Sequence, residues 1–277
     1  MAIQYSVFTK PWKKQTLEEL GELVAGFGFD AVEYPLRGGY QVQPEEGAAG
    51  IKRLVSTLKA SGVGVASIAC GIDVAVEDGK GKVVGASEDL FAACGENGIP
   101  IIRICQSLDS SKGFWDNYTS LRQKYDAIAV MAQKHGVTLG VQMHYGQNDI
   151  ANSYDTYIFL KDYDPKCIAA VWDAGHSGLA GENPRLVLDL LWNQLCMVNF
   201  KNAYWYRSNM PDAERASWGV RWTTGPHGMC RWKTAVDYLK ERGYQGTICL
   251  PAEYTDEPSV DRLTKFDIGY IKGLFNS

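Results

Sequence analysis

The run His135-Gly136-Val137-Thr138-Leu139-Gly140-Val141-Gln142-Met143-His144 decides the fold. Its glycine stops a helical stretch, because glycine tolerates the left-handed conformation found there. A short β-branched run follows, and polar side chains appear at its far end. Gln142 and His144 share a face because side chains alternate along a strand. The same unit recurs down the chain. Strands are read at Gln4–Thr9, Ala31–Pro35, Gly64–Ala69, Ile101–Gln106, Thr138–His144, Ile168–Asp173, Cys196–Lys201 and Thr247–Glu253. Between them apolar residues repeat at helical spacing, as with Leu17, Leu20, Leu23, Val24 and Phe27. Thr16, with Glu19 three residues on, has the pattern of a capping box. Eight strand-helix units with right-handed crossovers predict an α/β fold, a single-domain (β/α)8 barrel over residues 1–277. The alternative is an open doubly wound sheet. Lys10-Pro11-Trp12-Lys13-Lys14 stands where such a sheet carries its glycine-rich fingerprint.

At roughly 150 residues per domain, 277 residues suggest two domains, but an α/β barrel of about 250 residues is one. With 45% hydrophobic residues there is material for a packed core. The 28 Lys and Arg against 32 Asp and Glu leave a formal charge of −4, which argues against a nucleic-acid partner. Seven Cys without a close-spaced pair read as reduced thiols. Met1 to Lys14 has no signal-peptide pattern, and no run approaches the roughly 20 apolar residues that span a bilayer. A soluble, cytoplasmic protein without a membrane partner is therefore expected.

Catalytic groups of such barrels sit at the C-terminal ends of strands. Here those ends carry Glu33, Gln142, His144, Asp173, His176, Asn199, Lys201 and Glu253. Plainer roles compete: the counter-ion of Asp173 or Glu253 for Lys201, and hydrogen-bond fillers for Gln142 and Asn199. The connector at about 202–228 is long enough to be a functional lid and is rich in aromatic and arginine side chains, among them Trp205 and Arg207. His227 ends it, and Trp12 is placed as the opposite wall of the mouth.

Val141-Gln142-Met143-His144, Val171-Trp172-Asp173-Ala174-Gly175-His176, Val198-Asn199-Phe200-Lys201-Asn202 and Pro251-Ala252-Glu253 resemble, in order, four signatures of the xylose-isomerase-like TIM barrel family of sugar and sugar-phosphate isomerases and epimerases. The resemblance implies one divalent metal, held at the positions of Gln142, Asp173, Asn199 and Glu253, and proton transfer by two glutamates. Two of those positions carry amides, where the family has Glu and His. The set supplies −2 where the family supplies −3, so a weakened site favouring Mn²⁺ or Mg²⁺ over Zn²⁺ is expected. An amide cannot take a proton near neutrality, which leaves Glu253 as the base and His144 as the candidate second acid.

The reading is an isomerase or epimerase-like enzyme acting on a carbohydrate or polyol by metal-assisted proton transfer, with Glu253 and His144 catalytic. Its substrate contacts are expected from His176, Lys201, Arg207, His227, Trp12, Trp205 and Glu33. A carbohydrate-binding barrel without turnover, or a single-base lyase or dehydratase, is the alternative. The partner is a small-molecule carbohydrate, and association into homo-oligomers is left open.

Overall fold

The computed structural model describes residues 3–146 and 149–277. Eight parallel strands, β1 (Gln4–Phe8), β2 (Ala31–Pro35), β3 (Gly64–Ala69), β4 (Ile101–Cys105), β5 (Thr138–Gln142), β6 (Ile168–Asp173), β7 (Leu195–Asn199) and β8 (Thr247–Leu250), close into a barrel in chain order. β8 pairs with β1 from Gln4↔Thr247 to Val7↔Leu250 and seals the seam. The helices α1 (Leu17–Phe27), α2 (Gly47–Ala60), α3 (Gly85–Glu96), α4 (Phe114–His135), α5 (Ser153–Leu160), α6 (Pro184–Leu191), α7 (Trp232–Glu241) and α8 (Val260–Asn276) follow the strands one by one. Every strand residue of β2 and β6 is buried, as expected where helices cover a parallel sheet.

Local chemistry sets the ends of these elements. Thr16 accepts the Glu19 N–H and the Glu19 carboxylate accepts the Thr16 N–H, completing the expected capping box. Gly136 ends α4 at φ 65°, the left-handed value its position predicted. Inside the barrel Phe8, Ala69, Ile101, Val171, Met197 and Cys249 form an apolar plug. It is tight enough that a Cβ on Gly140 would come 2.8 Å from Val171 and 3.1 Å from Ile101.

β1 and β4 end one residue earlier than expected, at Phe8 and Cys105, and three strands end two or three residues earlier, at Gln142, Asn199 and Leu250. Met143 and Phe200 stay buried past those ends, so the burial pattern outlives the hydrogen-bond ladder. Beyond β8 the chain turns sharply, and Ala252, a buried residue with a Cβ, takes φ 51° immediately before Glu253. The expected lid loop is an antiparallel hairpin, Asn202–Arg207 with Trp218–Thr223, followed by the 3-10 turn Gly225–His227. A second hairpin, Val74–Glu77 with Lys80–Val83, lies against α4 and was not anticipated. No helix among the described residues is long and apolar enough to cross a membrane.

Candidate active site

The ends of β1, β5, β7 and β8 open into a cavity of about 690 Å³ lined by Lys10, Tyr40, His144, Lys201, Trp222 and Glu253 among others. Below it a smaller space of about 280 Å³ is bounded by Phe8, Arg37, Arg103, Gln142, Asn199 and again Lys201 and Glu253. Lys10, His144, Lys201 and Glu253 therefore line both chambers.

Lys201 is the centre of the charge arrangement. Its Nζ lies 2.8 Å from Glu253 Oε2 and 3.8 Å from Asp173 Oδ2, with the side chain only 6% exposed. Burial opposes its charge, but Asp173 and Glu253 raise its pKa above the usual lysine value and keep it an ammonium. The ammonium also lies 4.4 Å from the centre of the Trp222 ring. Gly175 leaves room for this stack, since a Cβ there would come 2.9 Å from Lys201 Cγ and 3.1 Å from Trp222.

Glu253 receives a second ammonium, Lys10 Nζ at 2.6 Å on Oε1. Burial works to raise its pKa, yet Lys201 and Lys10 together hold it well below the usual carboxylate range. Asp173 is fully buried and already committed: Oδ1 accepts the N–H groups of Gly175 and His176, which caps the short helix Ala174–Leu179, and Oδ2 accepts Gln142 Nε2–H at 2.7 Å. Burial raises its pKa, against the pull of Lys201.

The histidines divide the roles. His176 is buried, and burial together with Lys201 and His144 pushes it well below the usual imidazole value, so the ring is neutral. Its Nδ1 accepts the Tyr145 N–H at 3.0 Å, which puts the proton on Nε2, an atom without a hydrogen-bond partner. His144 lies with its ring centre 4.2 Å from that of His176, reaches Asp149 Oδ2 through Nδ1 at 3.1 Å, and lines both chambers. Asn199 is 1% exposed and has no partner for either amide atom.

Several residues expected at the site lie elsewhere. Trp12 is buried against Phe27 and donates to Asp261 at 2.7 Å, because the 3-10 turn after β1 folds it into the helix layer. Arg207 is held inside the hairpin by Asn209 and Ala213, and His227 is exposed on its turn, bonded to Thr224. Trp205 donates to the Leu179 carbonyl and packs edge-on against Tyr145. Glu33 is fully buried and grips Arg103 through two bonds of 2.9 and 3.0 Å, so it positions Arg103 without lining either chamber. Lys10, Arg37, Arg103 and Trp222 line the chambers and were not among the expected contacts. The signal for Arg103 was present, as a lone charge inside the otherwise apolar Ile101-Ile102-Arg103-Ile104-Cys105.

Residues 22–272 match the sequence profile described as xylose isomerase-like TIM barrel. The chain belongs to this family. Among solved structures it is similar to an L-ribulose 3-epimerase, with 16% identity and a TM-score of 0.73 over 100% of this chain and 95% of that one. A 3-keto-D-glucoside 4-epimerase from E. coli superposes with a TM-score of 0.71 at 13% identity, covering 98% of this chain and 99% of that one. A probable 3-DHS dehydratase from Bacillus anthracis gives 0.69 at 13% identity, covering 97% and 98%. Among curated proteins, an inosose dehydratase of Mesomycoplasma hyopneumoniae (strain 7448) is 23% identical over 180 residues, which are 62% of this chain and 57% of that protein. The chain thus spans just over half the length of the curated relatives it matches.

The donor set of this xylose isomerase-like barrel does not fit the divalent metal that the resemblance implied. A hard cation requires converging lone pairs at about 2.0–2.6 Å. Here Gln142 presents an N–H to Asp173, both Asp173 oxygens hold N–H donors, and an ammonium stands between Asp173 and Glu253. Among the described residues no three His, Cys, Asp or Glu side chains converge on such a point.

Proposed function

We propose that this barrel moves a proton at a carbon next to the carbonyl of a carbohydrate or related polyol, chemistry of the isomerase or epimerase type. The observation that carries the reading is the contact of Lys201 Nζ with Glu253 Oε2 at 2.8 Å, facing both chambers. An ammonium there binds the carbonyl oxygen and stabilises the negative charge that grows on it as the adjacent C–H is broken. In this reading the charge the sequence assigned to a divalent cation is supplied by Lys201. Glu253 takes the proton. Its basicity is low while two ammonium groups hold it, and it rises when the substrate oxygen engages Lys201 and the exposed Lys10 swings away. His144, lining the same space, returns a proton at the neighbouring position. His176 Nε2–H and the Asn199 amide are unpartnered groups available to substrate hydroxyls.

One observation favours a second outcome of the same proton abstraction. Asp173 is locked by N–H donors and Gln142 is an amide, so Glu253 is the one acidic side chain of the four family ligand positions that lines the chambers. A single base suits an elimination, in which loss of a hydroxyl β to the carbonyl follows proton removal. The inosose dehydratase and the probable 3-DHS dehydratase are similar proteins whose names carry that reaction.

Proton NMR in D₂O with a panel of ketoses and cyclic keto-polyols tests both. The reading expects deuterium to enter the carbon next to the carbonyl of at least one compound, with Glu253→Gln slowing exchange at least about a hundredfold. Recovery of an intact sugar marks isomerisation, and appearance of an unsaturated product marks elimination. Exchange or elimination that survives Glu253→Gln, or neither exchange nor an unsaturated product from any compound, overturns the proposal and leaves a binding barrel without turnover.

A further inference from the structure

Arg37, exposed just beyond β2, stands apart from the other cations of the lower chamber. Arg103 is bound by Glu33, Lys10 by Glu253, and Lys201 by Glu253 and Asp173. Among the described residues Arg37 forms no ion pair, and its contact is with the Phe8 ring, 5.8 Å from guanidinium carbon to ring centre. Arg103 lies over the same ring at 5.0 Å. Of the four Lys and Arg side chains at the lower chamber, three are paired with Glu33, Asp173 or Glu253, and among the described residues Arg37 has no carboxylate partner beside that space. Asn199 lines the same space with a buried amide whose donor and acceptor are both unused. A buried polar group without a partner is destabilising, so a ligand that pairs it recovers that penalty.

We infer that the lower chamber seats a carboxylate of the substrate, so that the ligand is a carboxylate-bearing polyol such as a sugar acid. This rests on the reading of the chambers as an active site. The planar guanidinium of Arg37 binds a carboxylate through parallel N–H bonds, and the Asn199 amide takes up a neighbouring ligand oxygen. The remainder of the molecule then extends toward Lys201 and Glu253, which line both chambers. A phosphate monoester carries about −1.5 to −2 at neutral pH and calls for a second free cation. The remaining unpaired lysine nearby, Lys13, lines the upper chamber only. The single spare charge below matches a monoanion.

Isothermal calorimetry with D-gluconate, D-glucuronate, D-fructose and D-fructose 6-phosphate, on the wild type, Arg37→Ala, Arg37→Lys and Lys201→Met, tests this. The expected result is that at least one of the two acids binds tenfold or more tighter than D-fructose. Arg37→Ala then loses about ten- to a hundredfold of that affinity, Arg37→Lys keeps part of it, and the affinity for D-fructose does not move. D-fructose binding as tightly as the acids, or acid binding indifferent to Arg37→Ala, overturns the carboxylate seat while the active-site reading stands. A preference for D-fructose 6-phosphate over the acids overturns the carboxylate in favour of a phosphate. Binding of none of the four at millimolar concentration overturns the inference as well. Ligand binding that Lys201→Met leaves untouched overturns the active-site reading itself.

Discussion

Replacing Lys201 with methionine isolates its charge. Met keeps the unbranched stem that packs on Trp222, so the lost energy is chiefly electrostatic. At an effective dielectric constant near 20, an ion pair at 2.8 Å is worth roughly 6 kcal/mol and one at 3.8 Å roughly 4 kcal/mol, before the cost of taking the ammonium out of water. Glu253 keeps Lys10 at 2.6 Å, but Asp173, fully buried, is left with neutral donors alone. Deleting one partner of a buried pair typically costs about 3–5 kcal/mol, and that is the expected loss. For 277 residues it corresponds to a fall of roughly 5–9 °C in melting temperature. Urea unfolding followed by the fluorescence of the eight tryptophans measures it. The double variant Lys201→Met/Asp173→Asn, which removes the stranded charge as well, should cost at least about 1 kcal/mol less than the sum of the single variants. A Lys201→Met protein within about 1 kcal/mol of wild type, or strict additivity in the double variant, refutes the view that this ammonium neutralises the site.

Asn199→Leu removes two buried polar atoms without partners, so the unliganded protein should gain about 1 kcal/mol or more in stability while ligand-induced thermal stabilisation disappears; a loss of stability in the unliganded protein contradicts this. Gly175→Ala puts a methyl against Lys201 Cγ and Trp222 and should cost about 1–3 kcal/mol and slow deuterium exchange at least tenfold, measured by the same NMR assay. Asp267 in α8 accepts the Gly225 N–H at the foot of the lid hairpin and the Tyr254 hydroxyl, and burial lifts its pKa to about 6. The native state therefore binds this proton more tightly than the unfolded chain, so the contribution to stability grows as pH falls from about 7 to 5, by roughly 1 kcal/mol. Urea unfolding of Asp267→Asn at the two pH values should lack that increment, and an unchanged pH dependence rules the carboxyl out as its source.

The barrel was legible because most strands are largely buried apolar runs, several of them preceded by a glycine helix stop, and such runs leave one arrangement for the polar residues at their ends. Lys201, Glu253 and His144 were readable on that ground. Trp12 was misplaced because a turn of three residues swings its ring from the mouth to Asp261, a rotation no periodicity records. Arg37 and Lys10 sit in connections, where nothing in the alternation says which way a side chain points. What the side chains at the ends of strands five to eight do depends on Lys201 standing among them, and that is a matter of three-dimensional spacing. The hairpin of Val74–Val83 carries an Asp78-Gly79 turn signal, yet its strands are mostly exposed and so lack the burial contrast that marks the barrel strands.

The bond between Lys10 and Glu253 joins residues 243 positions apart, across the seam where β1 meets β8. On a ribosome adding about 5–20 residues per second, Lys10 therefore waits roughly 12–50 s for its partner to be made. Throughout that interval β1 presents an unpaired edge on the side that β8 will cover, the kind of edge that recruits strands from other chains. The pocket cannot assemble before Glu253 is made, and the yield in a cell depends on how well that open seam is shielded until β8 arrives.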